Sequence, residues 1–331
     1  MNGKEFRQPL CAWFRRHGRD LPWRQTRDPY AILVSEMMLQ QTTVAAVVPY
    51  FERWMKRFPS VHELAAADES EVLALWQGLG YYRRARNLHA AAKKISVGLA
   101  GKFPRDYDGL RDLPGVGEYT AQAVRAFAFD ESVPVLDANV IRVVARLFDI
   151  RPPVDTATGL AKVRGKLEQL LPAKGGHGFV SALMELGALV CRAGRPDCLL
   201  CPVKSFCEAK HPEKLPVKAP KAAIKERSEH AAWVSDGKAV LLQQSTARRW
   251  GGLWRLPPLD DEPPGGPAVE LTYSIVRERV RLRVHRMRKG GLSASAEPRK
   301  AFSLRELEQI AVPSPHRRAI AKMIQEVSDR R

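Results

Sequence analysis

Cysteine is scarce in this chain, five in 331 residues, and Cys11 stands apart from the other four. Such sparse usage excludes a disulfide-knit secreted scaffold, which needs paired cysteines spread along a short chain. Long apolar runs are also missing, so nothing in the sequence approaches the roughly 20 residues that cross a bilayer. The opening MNGKEFRQPLCAWFRRHGRD interrupts any signal-like apolar core with Arg15, Arg16 and His17. A soluble cytoplasmic protein with no membrane partner is therefore expected. Acidic residues are in deficit, 36 Asp and Glu against 54 Lys and Arg, leaving a formal net charge of +18. That imbalance favours a polyanionic partner, nucleic acid first, through counterion release and long-range steering. Internal repeats and long low-complexity tracts are absent, which excludes a solenoid. A chain of 331 residues exceeds the usual single-domain range, so two domains are expected.

Helix-type patterning dominates up to about residue 210, over Ala31–Met55, Glu69–Trp76, Arg83–Val97, Tyr119–Phe129, Val140–Phe148, Leu160–Leu171 and Phe179–Cys191. The expected first domain, residues 1–210, is all-helical. Residues 211–229, opening HPEKLPVKAPKAAIKER, carry prolines and lysines with almost no large apolar residue, as an extended solvated linker does. Beyond it HAAWVSD, KAVLLQQS and ELTYSIV read as strands and Pro315–Val327 as a helix, making a small α+β domain over 230–331. Arg277, Arg279, Arg281 and Arg283 alternate, so a strand puts all four on one face, to bind backbone phosphate or to guard an exposed sheet edge.

Cys191, Cys198, Cys201 and Cys207 stand as C-x6-C-x2-C-x5-C beside Arg192, Arg195 and Lys204. Four converging thiolates select soft metals, either structural zinc or an iron–sulfur cluster. About seventy residues earlier runs Leu113-Pro114-Gly115-Val116-Gly117-Glu118-Tyr119-Thr120-Ala121. Gly115 and Gly117, flanking Val116, let a tight turn present backbone N–H groups, and the following helix adds its positive N-terminal end. Such a helix-hairpin-helix element, residues 113–121, grips phosphate without reading bases; a plain Pro-Gly turn needs only one glycine.

With PWR (22–24), SEMMLQQT (35–42), GLGYYRRARNLH (78–89), LPGVGEYTA, VLDANVIRV (135–143), MELGALVC (184–191) and the cysteine loop, the chain resembles the endonuclease III superfamily of base-excision DNA glycosylases. Within it, the resemblance is to the MutY-type adenine glycosylases, over residues 6–210 and more weakly beyond. It implies a 4Fe-4S cluster on the four cysteines and, as partner, double-stranded DNA holding adenine opposite 8-oxoguanine or guanine. A monomer, nucleoid-associated in a bacterium, suits an enzyme that wraps a duplex.

Breaking an N-glycosidic bond requires an acid for the departing base and an anion beside the cationic sugar, which two carboxyls in opposite protonation states supply. Glu36, in the apolar run AILVSEMML, is expected to have a raised pKa, whereas Asp137 precedes VIRVVARLF, whose N-terminal N–H groups favour the anion. The plainer alternatives are an exposed helical Glu36 and an Asp137 that only caps. By resemblance, Glu36 protonates adenine and helps activate water, Asp137 stabilises the sugar and Asn139 helps position the site. Tyr119 stands where lyase-active relatives carry a Schiff-base lysine, which implies a monofunctional enzyme. Gln40 and Gln41 are expected at base edges and Tyr81 as a wedge, with Trp23, Arg24 and Glu185 bordering the adenine pocket. His89 and His177 read as structural histidines.

The C-terminal domain resembles the MutT-like (Nudix-fold) domain of these enzymes, through WGGLWRLP (250–257) and Ser314–Arg318, but carries no hydrolase carboxylate box. Its lesion-reading loop is represented by Tyr273-Ser274-Ile275, where Ser274 fits and the family's histidine is missing. Ala138 replaces the family's usual glycine, a substitution that costs on the order of 1 kcal/mol where φ must be positive. Two other readings are a thymine- or uracil-specific mismatch glycosylase and a non-catalytic iron–sulfur redox sensor on DNA.

Overall fold

The computed structural model describes residues 2–220, 223–247, 249–275 and 277–328. Lys221 and Ala222 of the expected linker, and Val276 of the expected third strand, lie outside the described residues. The helices run α1 Gly3–His17, α2 Pro29–Leu39, α3 Val44–Arg57, α4 Val61–Ala66, α5 Glu69–Trp76, α6 Arg83–Lys93, α7 Tyr107–Arg111, α8 Glu118–Phe129, α9 Ala138–Leu147, α10 Ala157–Glu168 and α11 Gly176–Leu189. After them come β1 Lys225–Trp233, β2 Ala239–Gln244, β3 Trp254–Arg255, β4 Pro258–Leu259, β5 Val269–Ile275, β6 Glu278–Arg286, β7 Arg299–Ser303, α12 Glu306–Gln309 and α13 Ser314–Ser328. Two compact units form, one from Met1–Ala67 with Asn87–Pro220, the other from Asp68–Arg86 with Lys221–Arg331.

The first unit is built around α2. Every residue from Tyr30 to Met38 is buried, so this helix is a core element without a polar face. Its start is set by Asp28, whose side chain accepts from the Tyr30 N–H, and by Pro29 in the first turn. The single helix expected over 31–55 is two: Thr43 caps α3 by accepting from Ala46 N, and Gln41 between them takes φ 56°. A left-handed glutamine is strained by about 1 kcal/mol or more. In α9 the apolar stripe Val140, Val143, Val144 and Leu147 is buried, which points the helix start and its cap Asp137 in one direction.

Residues 68–86 carry contacts of the second unit rather than the helical one in which they were expected. The Tyr82 hydroxyl donates to Val312 O at 3.3 Å, Arg86 donates to Glu69 at 2.8 Å, and its other nitrogen reaches the Gly251 carbonyl. The expected linker is also partly structured: Leu215 is buried in the first unit, and β1 begins at Lys225.

The α+β part has a four-stranded sheet in the order β4-β1-β6-β5 and a three-stranded sheet β3-β2-β7. Trp233, Leu242, Leu256, Leu282, Val284, Phe302 and Met323 share its core. Val280, Leu282 and Val284 face inward, leaving Arg279, Arg281 and Arg283 on the opposite face, as the alternation requires. Strand β6 lies between β1 and β5, so these arginines guard no sheet edge. They neutralise acids instead: Arg279 and Arg281 lie 3.5 and 3.2 Å from Glu226, and Arg283 bridges Glu262 and Glu270 at 2.7 and 2.9 Å. Tyr273-Ser274-Ile275 close β5 and pair with Val280, Arg279 and Glu278, which makes them strand rather than loop.

Candidate active site and cysteine loop

Because α2 is buried on all sides, Glu36 carries its carboxyl into the interior, with 4% of the residue exposed. Among the described residues its Oε2 has no hydrogen-bond partner. Burial pushes its pKa up to about 7; a hydrogen bond from Tyr119 opposes this, and the Asp137 charge adds to it. Tyr119 enters from the second position of α8, and burial next to the two carboxyls pushes its own pKa far up. It stays a neutral donor.

Asp137 caps α9, accepting from Val140 N at 2.6 Å and from Asn139 Nδ2 at 2.8 Å. The cap was expected to hold its pKa down. Burial outweighs it and raises the pKa, with the bonds from Val140 and Asn139 pulling the other way. Asp137 still accepts several hydrogen bonds and Glu36 only the one from Tyr119, so the shared low-dielectric site leaves the proton on Glu36. The two oxygens of Asp137 take separate donors, Val140 N on Oδ1 and Asn139 Nδ2 on Oδ2. Ala138, the first residue of α9, is not among the positive-φ residues, so it carries none of the anticipated strain.

A cavity of 760 Å³ opens onto these groups, lined also by Trp23, Arg24, Gln40, Gln41, Gly115, Gly117, Asn139 and Glu185. Eleven of the expected site residues, spread over 163 positions, are thus brought to one place. Val116 is buried beneath the hairpin; Tyr81, 47% exposed, and exposed Ser274 belong to the second unit. Glu185 is fully buried. Burial alone would raise its carboxyl, but Arg19 and Arg24, at 2.7 and 2.8 Å, hold it down at about 2. It is therefore a permanent anion that orients two cavity arginines. His177, expected as a structural histidine, lines the cavity too, and burial beside Arg27 lowers its pKa to about 4.

In the hairpin, Gly115 has φ +79°, and a Cβ there would meet Asn87 Cβ at 2.5 Å; no other residue fits. Gly117 has an ordinary φ of −87° and caps α8 without a side-chain bond. Its role is to leave the first N–H groups of the helix uncovered, which suits an anion.

Four residues that sequence reasoning passed over organise the site. Besides Arg19, Arg142 donates to Cys191 O at 2.8 Å, to Asn139 Oδ1 at 2.8 Å and to Gly187 O at 2.7 Å. That chain links the first cysteine to Asn139 and so to Asp137. Gly187 lets α11 approach α9, since a Cβ on it would lie 2.6 Å from Asn139 Cβ. Arg146 is 1% exposed and donates to Pro212 O, Arg192 O and Gly194 O at 2.7, 2.8 and 3.2 Å and to Cys191 Sγ at 3.3 Å. A buried cation framing the loop this way complements thiolates. Burial is the main cause that raises Cys201 to about 11; a backbone hydrogen bond from Val203 opposes it, and the nearby sulfurs of Cys191, Cys207 and Cys198 add to the rise. Among the described residues, no three of them lie within 4.8 Å of one another. A tetrahedral zinc with bonds of about 2.3 Å would draw them to about 3.8 Å apart, and the same four-cysteine donor set is that of an iron–sulfur centre.

The model for the HhH-GPD superfamily base excision DNA repair protein matches residues 34–169. An adenine DNA glycosylase of Buchnera aphidicola subsp. Schizaphis graminum is 33% identical over 260 residues, 77% of this chain and 75% of that protein. The chain belongs to the adenine DNA glycosylase family. A mammalian member of the adenine DNA glycosylase family, from Rattus norvegicus, is 44% identical over 214 residues; the match spans 62% of this chain and only 41% of that protein. A solved thermostable thymine-DNA glycosylase superposes with TM-score 0.57 at 28% identity, covering 62% of this chain and 95% of that one. The family match encloses Glu36, the hairpin, Tyr119 and Asp137 but ends before the cysteines.

Proposed function

We propose that this chain is a monofunctional base-excision DNA glycosylase that hydrolyses the N-glycosidic bond of adenine paired with 8-oxoguanine or guanine. The observation that carries the reading is the pairing of Glu36, pushed up to about 7, with a hydrogen-bonded Asp137 across one cavity. Protonated Glu36 gives its proton to a ring nitrogen of the flipped adenine as the bond from C1′ breaks. The Asp137 carboxylate faces the resulting oxocarbenium. Water then adds to C1′, and the Glu36 carboxylate takes back a proton. Tyr119 donates to Glu36 and has no amine for a Schiff base, so strand cleavage does not follow.

The uncovered start of α8 binds phosphate, Gln40 and Gln41 meet the opened base stack, and the net charge of +18 makes binding salt-dependent. Cys191, Cys198, Cys201 and Cys207 hold a 4Fe-4S cluster, which orders the 191–207 loop, with Arg146 and Arg142 anchoring that loop to α9. The α+β part takes the MutT-like role of reading 8-oxoguanine, with Tyr81 and Ser274 as candidate contacts, and the enzyme acts as a monomer in the cytoplasm. Likeness to a thymine-DNA glycosylase structure supports one second reading, removal of thymine from T:G.

Single-turnover base release from duplexes containing A:8-oxoguanine, A:G, A:T and T:G separates the two. Adenine release at the first two, with strand breaks appearing only after alkali, is expected. Thymine release with adenine untouched, or breaks without alkali, overturns the proposal.

A further inference from the structure

His230 on β1, His285 on β6 and Glu262 between β4 and β5 each offer one ligand atom, and the three atoms lie within 4.8 Å of one another. None of them lines the active-site cavity. The strands explain the meeting: in the parallel β1–β6 pair His230 stands opposite Arg283 and Ala232 opposite His285, so the two histidines are diagonal neighbours on one face. His230 Nδ1 is 3.1 Å from His285 Nε2. Two imidazoles on a tetrahedral ion with bonds of about 2.0 Å place their nitrogens about 3.3 Å apart, close to the spacing already present.

The surroundings fix which nitrogens are available. His285 is 2% exposed, and its Nδ1 lies 3.1 Å from Gly266 O. A carbonyl only accepts, so Nδ1 carries the proton and the Nε2 lone pair faces His230, the tautomer that metal-bound histidines hold through a backbone carbonyl. Glu262 is now paired with Arg283 at 2.7 Å, but Arg283 also holds Glu270 at 2.9 Å. It therefore keeps an acidic partner when Glu262 turns to an ion.

We propose that His230, His285 and Glu262 bind one divalent transition-metal ion of the zinc class, with a fourth position open to water. Two imidazoles and a carboxylate suit zinc and its neighbours over calcium or magnesium. The bound ion ties the 260–266 connection to the central strands of the sheet and so stabilises the second unit. Without an ion, the same distance is a hydrogen bond in which His230 Nδ1–H donates to His285 Nε2.

The test uses the full-length holoprotein, freed of loosely bound metal, titrated with Co2+ by absorption and with Zn2+ by calorimetry. One equivalent of Co2+ is expected to give tetrahedral d–d bands without thiolate-to-metal charge transfer, which distinguishes this site from the cysteine loop. Removing an outer-shell partner weakens metal binding about 10–100-fold, so loss of a direct ligand in His230→Ala is expected to cost at least about as much. His230 and Glu262 are less buried than His285, so His230→Ala and Glu262→Gln test the site even where His285→Ala fails to fold. Weaker Co2+ binding in both variants, with wild-type circular dichroism, supports the proposal. No binding by the wild-type protein, affinity unchanged in His230→Ala, or a spectrum showing only thiolate charge transfer overturns it.

Discussion

Replacing Gly187 by alanine adds a single methyl group and tests whether Asp137 is held from behind. The new Cβ would lie 2.6 Å from Asn139 Cβ and 3.1 Å from both Asn139 Cα and Asn139 O. Two of those three atoms are backbone, so rotating a side chain cannot relieve the overlap. In an open helical position the change would stabilise by about 0.5–1 kcal/mol, whereas overpacking costs about 1–3 kcal/mol. The net expectation is a loss of about 0–2.5 kcal/mol. The catalytic loss should be larger, because Asn139 holds Asp137 Oδ2 at 2.8 Å, and misplacing a reacting group by about 1 Å costs roughly 100-fold. Gly165, inside α10 with nothing within 4 Å of its ideal Cβ, supplies the control. Thermal midpoints and single-turnover adenine release are measured for wild type, Gly187→Ala and Gly165→Ala. Gly165→Ala should be slightly stabilised and fully active, and Gly187→Ala slow even where it is folded. A Gly187→Ala enzyme with wild-type turnover would refute the claim that α11 positions Asp137 through Asn139.

The same geometry sets the pH dependence and the role of Arg142. Glu36, raised from 4.5 to about 7, binds more protons folded than unfolded between those values. Its stabilising contribution is complete below pH 4.5 and falls by up to about 3 kcal/mol as pH rises to 7; single-turnover rates should show a basic limb near the same pH. Glu36→Gln should flatten the stability profile between those pH values, and Tyr119→Phe, which removes a bond that lowers the Glu36 pKa, should move the basic limb to higher pH; an unmoved limb in Tyr119→Phe counts against this assignment. Arg142→Lys keeps the charge but cannot span Cys191 O, Asn139 Oδ1 and Gly187 O with one ammonium. Base release should drop at least about tenfold while binding to duplex DNA, measured by fluorescence anisotropy, stays near wild type.

What the sequence determined by itself are features whose causes lie within a few residues. The left-handed turn at Gly115, the cap at Asp137, the alternation along β6 and the cysteine spacing all follow from local sterics, hydrogen bonding and periodicity. The desolvated run around Glu36 was legible for the same reason, since an apolar stretch leaves its lone carboxyl no polar face.

Only the tertiary structure decided what depends on segments far apart in the chain. Arg19 meets Glu185 across 166 positions, Arg142 meets Cys191 across 49 and Arg146 meets Pro212 across 66; as isolated residues they read as surface charge. Burial around Asp137 overrode the local effect of its cap. The arginines of β6 were legible as one face, but strand order alone placed β6 between two neighbours rather than at the sheet edge. Residues 68–86 fell to the second unit through partners more than 150 positions away, Val312 and Gly251. Local periodicity carries no information about which distant carbonyl will accept a given donor, because that depends on how the apolar faces of whole elements stack.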